Sequence, residues 1–384
     1  MHTLTRSIVE AVGSITKGAA PLHAPEIGGE EWTYVKECLD TGWVSSVGSY
    51  VDLFEARLAE YTGVAHAVVT SSGTAALHVS LLLAGVQAGD EVLVPTLTFA
   101  ATANAVAYCG AVPHFCDSSE HTLGIDPARL EQYLATIADQ SGEHCINRNT
   151  GNRIAGVVCM HTYGHAVELD ALAGVCGRFG IPLIEDAAES LGSFYKGKHT
   201  GASGLVSALS FNGNKIVTTG GGGALLTNDP DIAARAKHLT TTAKVPHKWE
   251  FTHDQVGFNY RMPNINAAMG CAQLERLPDF IHRKRSLAAA YTRAFDGIDG
   301  VRFYAEPDNC QSNYWLNVLL LEEDSIELRD EVLTGLNEAG YMSRPAWLPN
   351  HQLEMYDDAP CDALPVAESL YRRLINIPSS PCLA

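Results

Sequence analysis

Short apolar runs alternate with longer stretches of small and amphipathic residues between Ala65 and Thr227. Six runs have the length and the β-branched content of buried strands: Ala67–Thr70, Glu91–Pro95, Val112–Cys116, Ile154–Met160, Pro182–Glu185 and Ala208–Phe211. The stretches between several of them predict helices at Thr74–Ala84, Ala100–Cys109, Pro127–Ala138 and Glu168–Phe179. This alternation predicts an α/β fold with a mainly parallel sheet sandwiched by helices, whose ligands lie at the carboxyl ends of the strands.

The last third of the chain begins with a long helical pattern at Asn266–Phe295, interrupted by Pro278, which we expect to link a large domain to a smaller one. The segments after it predict a strand at Asn313–Leu321, a helix at Leu328–Ala339 and an ordered coil at Asn376–Pro381. Earlier in the chain, the polar and turn-rich stretch Asp139–Arg153 predicts a surface insertion. We therefore expect an N-terminal arm at 1–30, a large domain at 31–265, and a linking helix with a C-terminal α+β domain at 266–384.

The composition is that of an ordinary globular protein, with 46% hydrophobic and 18% charged residues among 384. The formal net charge of -18 repels nucleic acid and anionic membrane surfaces, so we expect neither as a partner. An anionic substrate would need a locally basic pocket, for which the candidates are Lys244, His247, Lys248, Arg261 and Arg344.

The cysteine pattern and the apolar runs indicate a soluble protein of the cytoplasm. The ten cysteines are scattered without a C-x-x-C pair, as in proteins that keep their thiols reduced. The stretch Ser7–Ile15 is only weakly apolar and contains Glu10, which makes it a poor signal-peptide core. We expect no metal site, because a Thr-Tyr-Gly turn separates His161 from His165 and no carboxylate completes the set.

A first candidate element for chemistry follows the strand that ends at Thr70. Ser72, Gly73 and Thr74 combine small hydroxyl side chains with a glycine at the start of a predicted helix. Exposed backbone N–H groups at such a helix N-terminus form an anion site. Taken alone, this pattern is more often a simple helix cap.

Two further elements follow later strands. Asp186 ends an apolar strand, where a buried carboxylate needs a cationic partner such as a protonated pyridine nitrogen; the alternative is a helix-capping aspartate beside a solvated Glu185. Lys215 lies between an apolar strand and four consecutive glycines, Gly220 to Gly223, where desolvation would favour the neutral amine that a Schiff base needs. The alternative there is an exposed lysine in a glycine-rich loop. Neither the P-loop spacing nor the G-x-G-x-x-G fingerprint of nicotinamide enzymes is present.

With these three elements in this order, the chain resembles the fold-type I pyridoxal 5'-phosphate (PLP) enzymes and, among them, the sugar-nucleotide aminotransferases of the DegT/DnrJ/EryC1/StrS family. The resemblance extends over essentially the whole chain, including Pro21–Pro25, Trp43–Gly48, Val51–Glu55, Phe211–Lys215, Arg344–Trp347 and the tail Asn376–Ser380. The last three segments are most similar to a branch that aminates nucleotide-linked 4-keto-6-deoxy-N-acetylhexosamines on routes to bacillosamine or legionaminic acid, and the resemblance makes 31–265 the PLP-binding domain.

The resemblance implies roles for particular residues around the cofactor. Lys215 is the Schiff-base lysine, Asp186 the partner of the pyridine nitrogen, and Glu189 lies near the ring hydroxyl. Phe99 corresponds to an aromatic residue that stacks on the cofactor ring. The cofactor phosphate is held by Gly73, Thr74 and Ser210, with Ser72 nearby.

The resemblance also implies a homodimer with a shared active site, in which Asn259 or Arg261 reaches the phosphate of the partner subunit. For the substrate we name His351, Arg344 and Lys244 as candidates. The implied reaction moves an amino group from L-glutamate to carbon four of a nucleotide-linked keto sugar, with UDP-4-keto-6-deoxy-N-acetylglucosamine favoured over GDP- or dTDP-linked sugars. The alternatives are a non-catalytic PLP-binding regulatory protein and a sugar dehydratase, although the dehydratases carry histidine where this chain has Lys215.

Overall fold

Helices and strands alternate along most of the chain in the computed structural model, which describes residues 3–384. The α-helices are α1 (Thr3–Thr16), α2 (Glu31–Thr41), α3 (Ser49–Thr62), α4 (Gly73–Leu83), α5 (Ala101–Tyr108), α6 (Pro127–Ile137), α7 (Leu169–Phe179), α8 (Pro230–Thr240), α9 (Asn264–Phe295), α10 (Ile326–Glu338) and α11 (Pro365–Arg373). The strands are β1 (His66–Thr70), β2 (Glu91–Pro95), β3 (Val112–Cys116), β4 (Ala138–Asp139), β5 (Ile146–Asn147), β6 (Ile154–Met160), β7 (Leu183–Asp186), β8 (Phe194–Tyr195), β9 (Lys198–His199), β10 (Val206–Ser210), β11 (Gly223–Thr227), β12 (Val301–Phe303), β13 (Cys310–Gln311), β14 (Asn317–Leu321), β15 (Arg344–Pro345) and β16 (Leu374–Ile377).

A seven-stranded sheet in the order β1-β11-β10-β7-β6-β2-β3 forms the centre of the larger part. All six predicted strands are present, three of them at the predicted bounds and the others shifted by at most two residues. The sheet is mainly parallel, as predicted, but it contains an additional strand, β11, which runs antiparallel between β1 and β10. Its first residue, Gly223, is the last of four consecutive glycines that were predicted as a loop, because glycine is rare in strand interiors.

The strands of this sheet are apolar on both faces because helices cover both. In β2, Val92 and Val94 pack into one core cluster with α4 and α5, whereas Leu93 packs into another with α6 and α7. A third cluster joins α3 and α9 to the neighbouring strands. Each fully buried side chain of this size stabilises the fold by about 1.5–3 kcal/mol. The double cover explains why the strands read as continuous apolar runs rather than as alternating patterns.

The C-terminal part contains a four-stranded antiparallel sheet in the order β12-β14-β16-β15. Strand β16 occupies the segment that the sequence predicted as an ordered coil, so that prediction was wrong for its first residues. The region predicted as an N-terminal arm contains α1, whose Ile8 and Val12 are buried against Leu287 and Tyr291 of α9. The arm is therefore in part a packed helix of the C-terminal core, because its apolar face needs a partner.

Helix α9 connects the two parts as one 32-residue helix that continues through Pro278. The predicted interruption is absent. A proline inside a helix costs about 3 kcal/mol, and the burial of neighbouring Leu277 and Phe280 offsets this cost. Among residues 3–384, no helix combines the length and apolar character that crossing a membrane requires.

The stretch predicted as a surface insertion forms a small hairpin of β4 and β5. Its Asn147 is buried and donates from Nδ2 to Oε2 of Glu91 at 2.8 Å. His114 also contacts that carboxylate, with Nδ1 2.8 Å from Oε2. The insertion is thus anchored to the start of β2 by a buried polar network, which a purely exposed loop would lack.

Candidate active site

A cavity of about 360 Å³ opens at the carboxyl ends of β1, β7 and β10. The N-terminus of α4 lies at the same edge of the sheet, as expected for a ligand site of a parallel sheet. Eight residues that the sequence predicted for a cofactor line this cavity: Ser72, Gly73, Thr74, Phe99, Asp186, Glu189, Ser210 and Lys215. The fold therefore brings together residues that are up to 143 positions apart in the sequence.

The amine of Lys215 lies on the wall of the cavity. The lysine follows β10 in a tight turn, in which its backbone N–H donates to the carbonyl of Asn212 at 3.0 Å. Its Nζ is 3.1 Å from Oε1 of Glu189 and 3.7 Å from the centroid of the Trp315 ring. Trp315 is fixed because its Nε1–H donates to the carbonyl of Asn214 at 2.8 Å. The amine is therefore held between a carboxylate and an aromatic face while remaining open to the cavity.

Asp186 is the last residue of β7 and is 5% exposed. Its Oδ2 accepts a hydrogen bond from the Thr102 hydroxyl at 2.8 Å, and its Oδ1 accepts from the backbone N–H of Ala188 at 3.2 Å. Burial raises the pKa of this carboxyl, while the bond from Thr102 lowers it to a lesser degree. The carboxylate thus has an unused capacity to accept hydrogen bonds and would be stabilised by a cation in the cavity.

Glu189 lies one turn beyond Asp186 and is almost completely buried. Burial raises its pKa to about 7, although the nearby Lys215 amine acts in the opposite direction. Its second oxygen, Oε2, accepts from the backbone N–H of Tyr163 at 2.9 Å. The side chain can therefore hold a proton at neutral pH and pass it to an acceptor in the cavity.

The opposite end of the cavity is formed by the N-terminus of α4. Ser72 caps this helix, since its Oγ accepts from the Ala75 N–H at 3.0 Å, whereas the N–H groups of Gly73 and Thr74 have no acceptor within the helix. Glycines keep this corner narrow: a Cβ at Gly73 would lie 2.7 Å from Cβ of Ser210, and one at Gly223 would lie 2.5 Å from the carbonyl carbon of Ser72. The result is an anion cradle of backbone N–H groups with adjacent hydroxyl groups.

Aromatic rings border the mouth of the cavity. Phe99 is 56% exposed, and its ring centroid lies 6.5 Å from that of Trp347 in an edge-to-face arrangement. Trp347 in turn stacks on Tyr163 at 4.8 Å. An uncovered phenyl ring at the mouth of this cavity suits contact with a planar ligand.

None of the three predicted substrate residues lines this cavity. His351 is held between Thr96 and Glu368, with Nδ1 2.8 Å from the Thr96 hydroxyl and Nε2 3.3 Å from the Glu368 carboxylate. Lys244 lies over the ring of Phe251, with Nζ 3.7 Å from the centroid. Their substrate roles stay predictions. Arg344, the third candidate, lines a neighbouring cavity.

The two residues considered for a contact with a partner subunit differ sharply in their surroundings. Arg261 is buried, and its Nη1 donates to Oε1 of Glu55 at 2.6 Å and to the Val69 carbonyl at 3.1 Å. Asn259 is exposed. Arg261 is therefore engaged within its own subunit, whereas the side chain of Asn259 is accessible.

The two histidines considered for a metal site have separate surroundings. His161 donates from Nε2 to Glu185, 3.0 Å away, because its Nδ1 accepts from the Val167 N–H. His165 is buried between the rings of two tyrosines, and burial lowers its pKa to about 3.

Sequence reasoning missed four residues around the cavity: Thr102, Tyr163, Trp315 and Trp347. Trp315 lay in a predicted strand, but that strand begins only at Asn317. Thr102 belongs to a predicted helix, and nothing in its local sequence indicates a hydrogen bond to Asp186, 84 positions away. Trp347 alone had a signal in the sequence, because it ends the segment Arg344–Trp347 that carries the family resemblance.

Comparisons with known proteins agree with this geometry. The sequence model of the DegT/DnrJ/EryC1/StrS aminotransferase family matches residues 25–384. GDP-perosamine synthase of Escherichia coli O157:H7 is 38% identical over 364 residues, which are 95% of this chain and 94% of that protein. The putative pyridoxal phosphate-dependent aminotransferase EpsN of Bacillus subtilis (strain 168) is 37% identical over 362 residues, with coverage of 93% and 90%. The crystal structure of the aminotransferase TlmJ from Streptoalloteichus hindustanus matches with a TM-score of 0.85 at 30% identity, covering 96% of this chain and 95% of that one.

Proposed function

The chain belongs to the DegT/DnrJ/EryC1/StrS aminotransferase family, and from this premise we propose that it moves an amino group from L-glutamate to carbon four of a nucleotide-linked 4-keto-6-deoxy sugar. The enzyme is a PLP-dependent sugar-nucleotide aminotransferase. One observation carries the finer proposal: the Lys215 amine, the Asp186 carboxylate and the N-terminus of α4 face one cavity. The product is a 4-amino-4,6-dideoxy sugar nucleotide, and 2-oxoglutarate is released.

The residues of the cavity fit PLP, the cofactor of this family. Asp186 is buried with two hydrogen-bond donors and would pair with the pyridine nitrogen, while the cradle at Gly73 and Thr74 would hold the phosphate. Glu189 would lie beside the ring hydroxyl and Phe99 against the ring face. When bound, PLP supplies an electron sink that stabilises negative charge on the carbon being aminated or deaminated.

The protein's own residues divide the remaining work. Asp186 would hold a proton on the ring nitrogen, and the Thr102 hydroxyl orients the carboxylate for this. Lys215 would hold the cofactor covalently between turnovers. Once the donor's amino group has replaced it there, the free Lys215 amine would take a proton from the α-carbon of the donor and later deliver one to carbon four of the sugar. Glu189, 3.1 Å from that amine, can exchange a proton with it.

The nucleotide has two candidates. The resemblance of the segments around Lys215 and Arg344 favours UDP-4-keto-6-deoxy-N-acetylglucosamine, whereas the relative at 38% identity is named for a GDP-linked sugar. The level of that identity supports GDP as the second candidate. Both sugars would present a carbonyl at carbon four to the same amine, so the proposed chemistry is common to them.

A homodimer completes the proposal. The accessible side chain of Asn259 suits a contact with the cofactor phosphate of a partner subunit better than Arg261, which is bonded to Glu55 inside its own subunit. To reach a partner subunit, the Arg261 guanidinium would have to give up its hydrogen bonds to the Glu55 carboxylate and the Val69 carbonyl.

The test uses the purified protein loaded with PLP. Addition of glutamate should shift the absorbance of the bound cofactor and release 2-oxoglutarate. UDP-, GDP- and dTDP-linked 4-keto-6-deoxy sugars are then added in separate reactions, and the products are identified by mass spectrometry. Two separable half-reactions predict ping-pong kinetics. Inactivity toward every 4-keto sugar would overturn the substrate assignment, and an inert cofactor in the presence of glutamate would favour the regulatory alternative.

A further inference from the structure

An aromatic face lies against the amine of Lys215. Its Nζ is 3.7 Å from the centroid of the Trp315 ring, well inside the ~6 Å at which a cation is attracted to an aromatic face. Trp315 is 4% exposed and lines the cofactor cavity. Because water is largely excluded from this ring, the attraction is stronger than it is at an exposed site. The ring is therefore placed to stabilise a positive charge on the amine.

Hydrogen bonds hold Trp315 from three sides. Its Nε1–H donates to the carbonyl of Asn214, the residue next to Lys215, at 2.8 Å. Its backbone N–H donates to Oδ1 of Asn313 at 2.8 Å, and its carbonyl accepts from Nζ of Lys284 at 3.1 Å. The indole is thus tied to the same turn that carries the reactive amine, so the backbone sets its distance from that turn.

Asn313 joins the two groups that contact the amine. This asparagine is fully buried, and its Oδ1 accepts from Trp315 as described above. Its Nδ2 donates to the carbonyls of Glu189 and Leu191, both at 2.9 Å. One side chain therefore fixes the backbones of Trp315 and Glu189 relative to each other. The spacing of an aromatic face and a carboxyl around Nζ of Lys215 is thus a feature that the fold maintains.

The backbone next to the ring is strained. Tyr314, the residue before Trp315, has a φ of 48°, in the left-handed region that a tyrosine rarely adopts. Such conformations persist only where the surrounding structure enforces them, and they cluster at functional sites. Here the strained residue directly precedes the ring that covers the amine. A tryptophan that only filled space in the core would not require this backbone conformation.

The proposed reaction makes Lys215 positive at its central step. When the free amine takes the proton from the α-carbon of the donor, the carbon–hydrogen bond breaks, its electron pair passes to the cofactor, and the amine becomes an ammonium group. Glu189 offsets this charge only in part, because burial raises its pKa to about 7 and the carboxyl is then partly protonated at neutral pH. An aromatic face does not titrate, so its attraction for the ammonium group is independent of pH.

We propose that Trp315 is a catalytic residue, whose indole face stabilises the ammonium form of Lys215 while that side chain carries a proton. The inference rests on the proposed function, since only a lysine that moves protons needs this stabilisation. The same face serves both half-reactions, because the amine passes through its ammonium form in each. Loss of the attraction should slow each proton transfer about 2- to 30-fold, which corresponds to about 0.5–2 kcal/mol.

The test changes the charge distribution of the ring and keeps its shape. Trp315→Phe is compared with the same variant carrying pentafluorophenylalanine at this position, because fluorination reverses the ring quadrupole. The PLP-loaded proteins are mixed rapidly with glutamate, with and without deuterium at its α-carbon, so that the isotope effect identifies the proton transfer. This step should be about 2- to 30-fold slower with the fluorinated ring. The same pair of rings in place of Trp32, which is 75% exposed on α2, is the matched control and should show no difference.

Acetylation of the apoprotein gives a readout that needs no cofactor. A brief pulse of acetic anhydride modifies only neutral amines, and peptide mass spectrometry measures the extent at Lys215 relative to exposed Lys198. Near neutral pH the fluorinated ring should increase the acetylation of Lys215 about 2- to 30-fold over the Trp315→Phe variant, because the ammonium form is stabilised less. Above about pH 11, where lysine side chains are neutral with either ring, the two proteins should agree.

Equal proton-transfer rates, or equal acetylation near neutral pH, for the two rings would overturn the proposal and leave Trp315 a packing residue. Should Trp315→Phe not fold, the wild-type chain produced with fluorinated tryptophan gives the same comparison, because this analogue weakens the attraction with little change of shape. If the wild type shows no reaction with glutamate, the proposed function fails, and the acetylation measurement still decides whether the ring stabilises the ammonium form.

Discussion

Nζ of Lys215 lies 3.1 Å from Oε1 of Glu189, whose Oε2 accepts a hydrogen bond from the backbone N–H of Tyr163 at 2.9 Å. Burial raises the pKa of Glu189 to about 7, so this carboxyl can take up or release a proton near neutral pH. The Tyr163 hydroxyl, in turn, accepts from Nδ2 of Asn376 at 3.3 Å. Tyr163 thus connects the Glu189 carboxyl to strand β16 of the small sheet.

Replacing Lys215 should abolish both cofactor attachment and turnover. We expect Lys215→Ala to lose the adduct that borohydride traps at this position and to slow amino transfer by at least about 10²–10⁴-fold, since the residue serves as nucleophile and as proton carrier. Mass spectrometry of the reduced protein measures the adduct. Lys237→Ala, which removes an exposed lysine near Glu55, is the control. Full turnover by Lys215→Ala would refute the central assignment.

Glu189 predicts a pH dependence of stability in the apoprotein. A carboxyl whose pKa is raised from about 4.5 to about 7 by folding stabilises the fold at low pH, and this contribution is lost as pH rises from about 4.5 through 7. Glu189→Gln removes this titration. As pH rises through that window, the free energy of unfolding of the variant should therefore increase relative to that of the wild type by ~1.4 kcal/mol for each pH unit. Urea denaturation at pH 5 and pH 8 measures it. Parallel pH profiles of the two proteins would contradict the raised pKa.

Thr102 should act as a positioning residue for Asp186. Thr102→Val keeps the shape but removes one of the two hydrogen bonds to the carboxylate, at a cost of about 1–3 kcal/mol. We expect the glutamate half-reaction to slow about 5- to 100-fold and the pH titration of the cofactor absorbance to shift, because a less well held carboxylate stabilises the ring-nitrogen proton less. Thr136→Val, on the exposed side of α6, should change neither. An unaltered absorbance titration would show that Thr102 is not needed for this purpose.

Gly223 should be required for the close approach of β11 to the anion cradle. A Cβ there would lie 2.5 Å from the carbonyl carbon of Ser72 and 2.6 Å from the nitrogen of Gly73. Gly223→Ala should therefore destabilise the protein by about 1–3 kcal/mol and weaken PLP binding. Thermal unfolding and a fluorescence titration with PLP measure the two effects. Gly142→Ala, where a Cβ meets nothing within 4 Å, is the matched control, and equal behaviour of the two variants would contradict the prediction.

The shared site predicts complementation between subunits. Lys215→Ala and Asn259→Ala should each be nearly inactive alone, but a refolded mixture should recover about a quarter of wild-type activity, since each mixed dimer contains one site with neither defect. Absence of recovery, with mixed dimers confirmed by native mass spectrometry, would place both residues in the same subunit's site. Substitution of Arg261 should instead appear as lost stability, because it breaks a buried ion pair.

Local sequence patterns predicted most of the strands of the large sheet and many of the residues that line the cavity. The six strands of the parallel sheet could be predicted because strands buried on both faces are continuous apolar runs. The order of the hydroxyl-glycine turn, Asp186 and Lys215 could be recognised because each lies at the end of such a strand or within five residues after it. Strand β11 was not predicted because it begins with glycine. Strand β16 was not predicted because it is short and overlaps the start of the segment Asn376–Pro381, which was predicted as coil.

The amino-acid sequence alone therefore determined the α/β class and the residues at the strand ends, including the candidate lysine Lys215, all of which depend on neighbours within a few positions. Only the tertiary structure decided that Thr102 holds Asp186, that Arg344 and Asn376 share one face of the small sheet, and that Arg261 is tied to Glu55 while Asn259 is exposed. These relationships join residues that are 32 to 206 positions apart. They follow from strand register and helix packing, which are set by the burial of the whole core and not by any local run of residues.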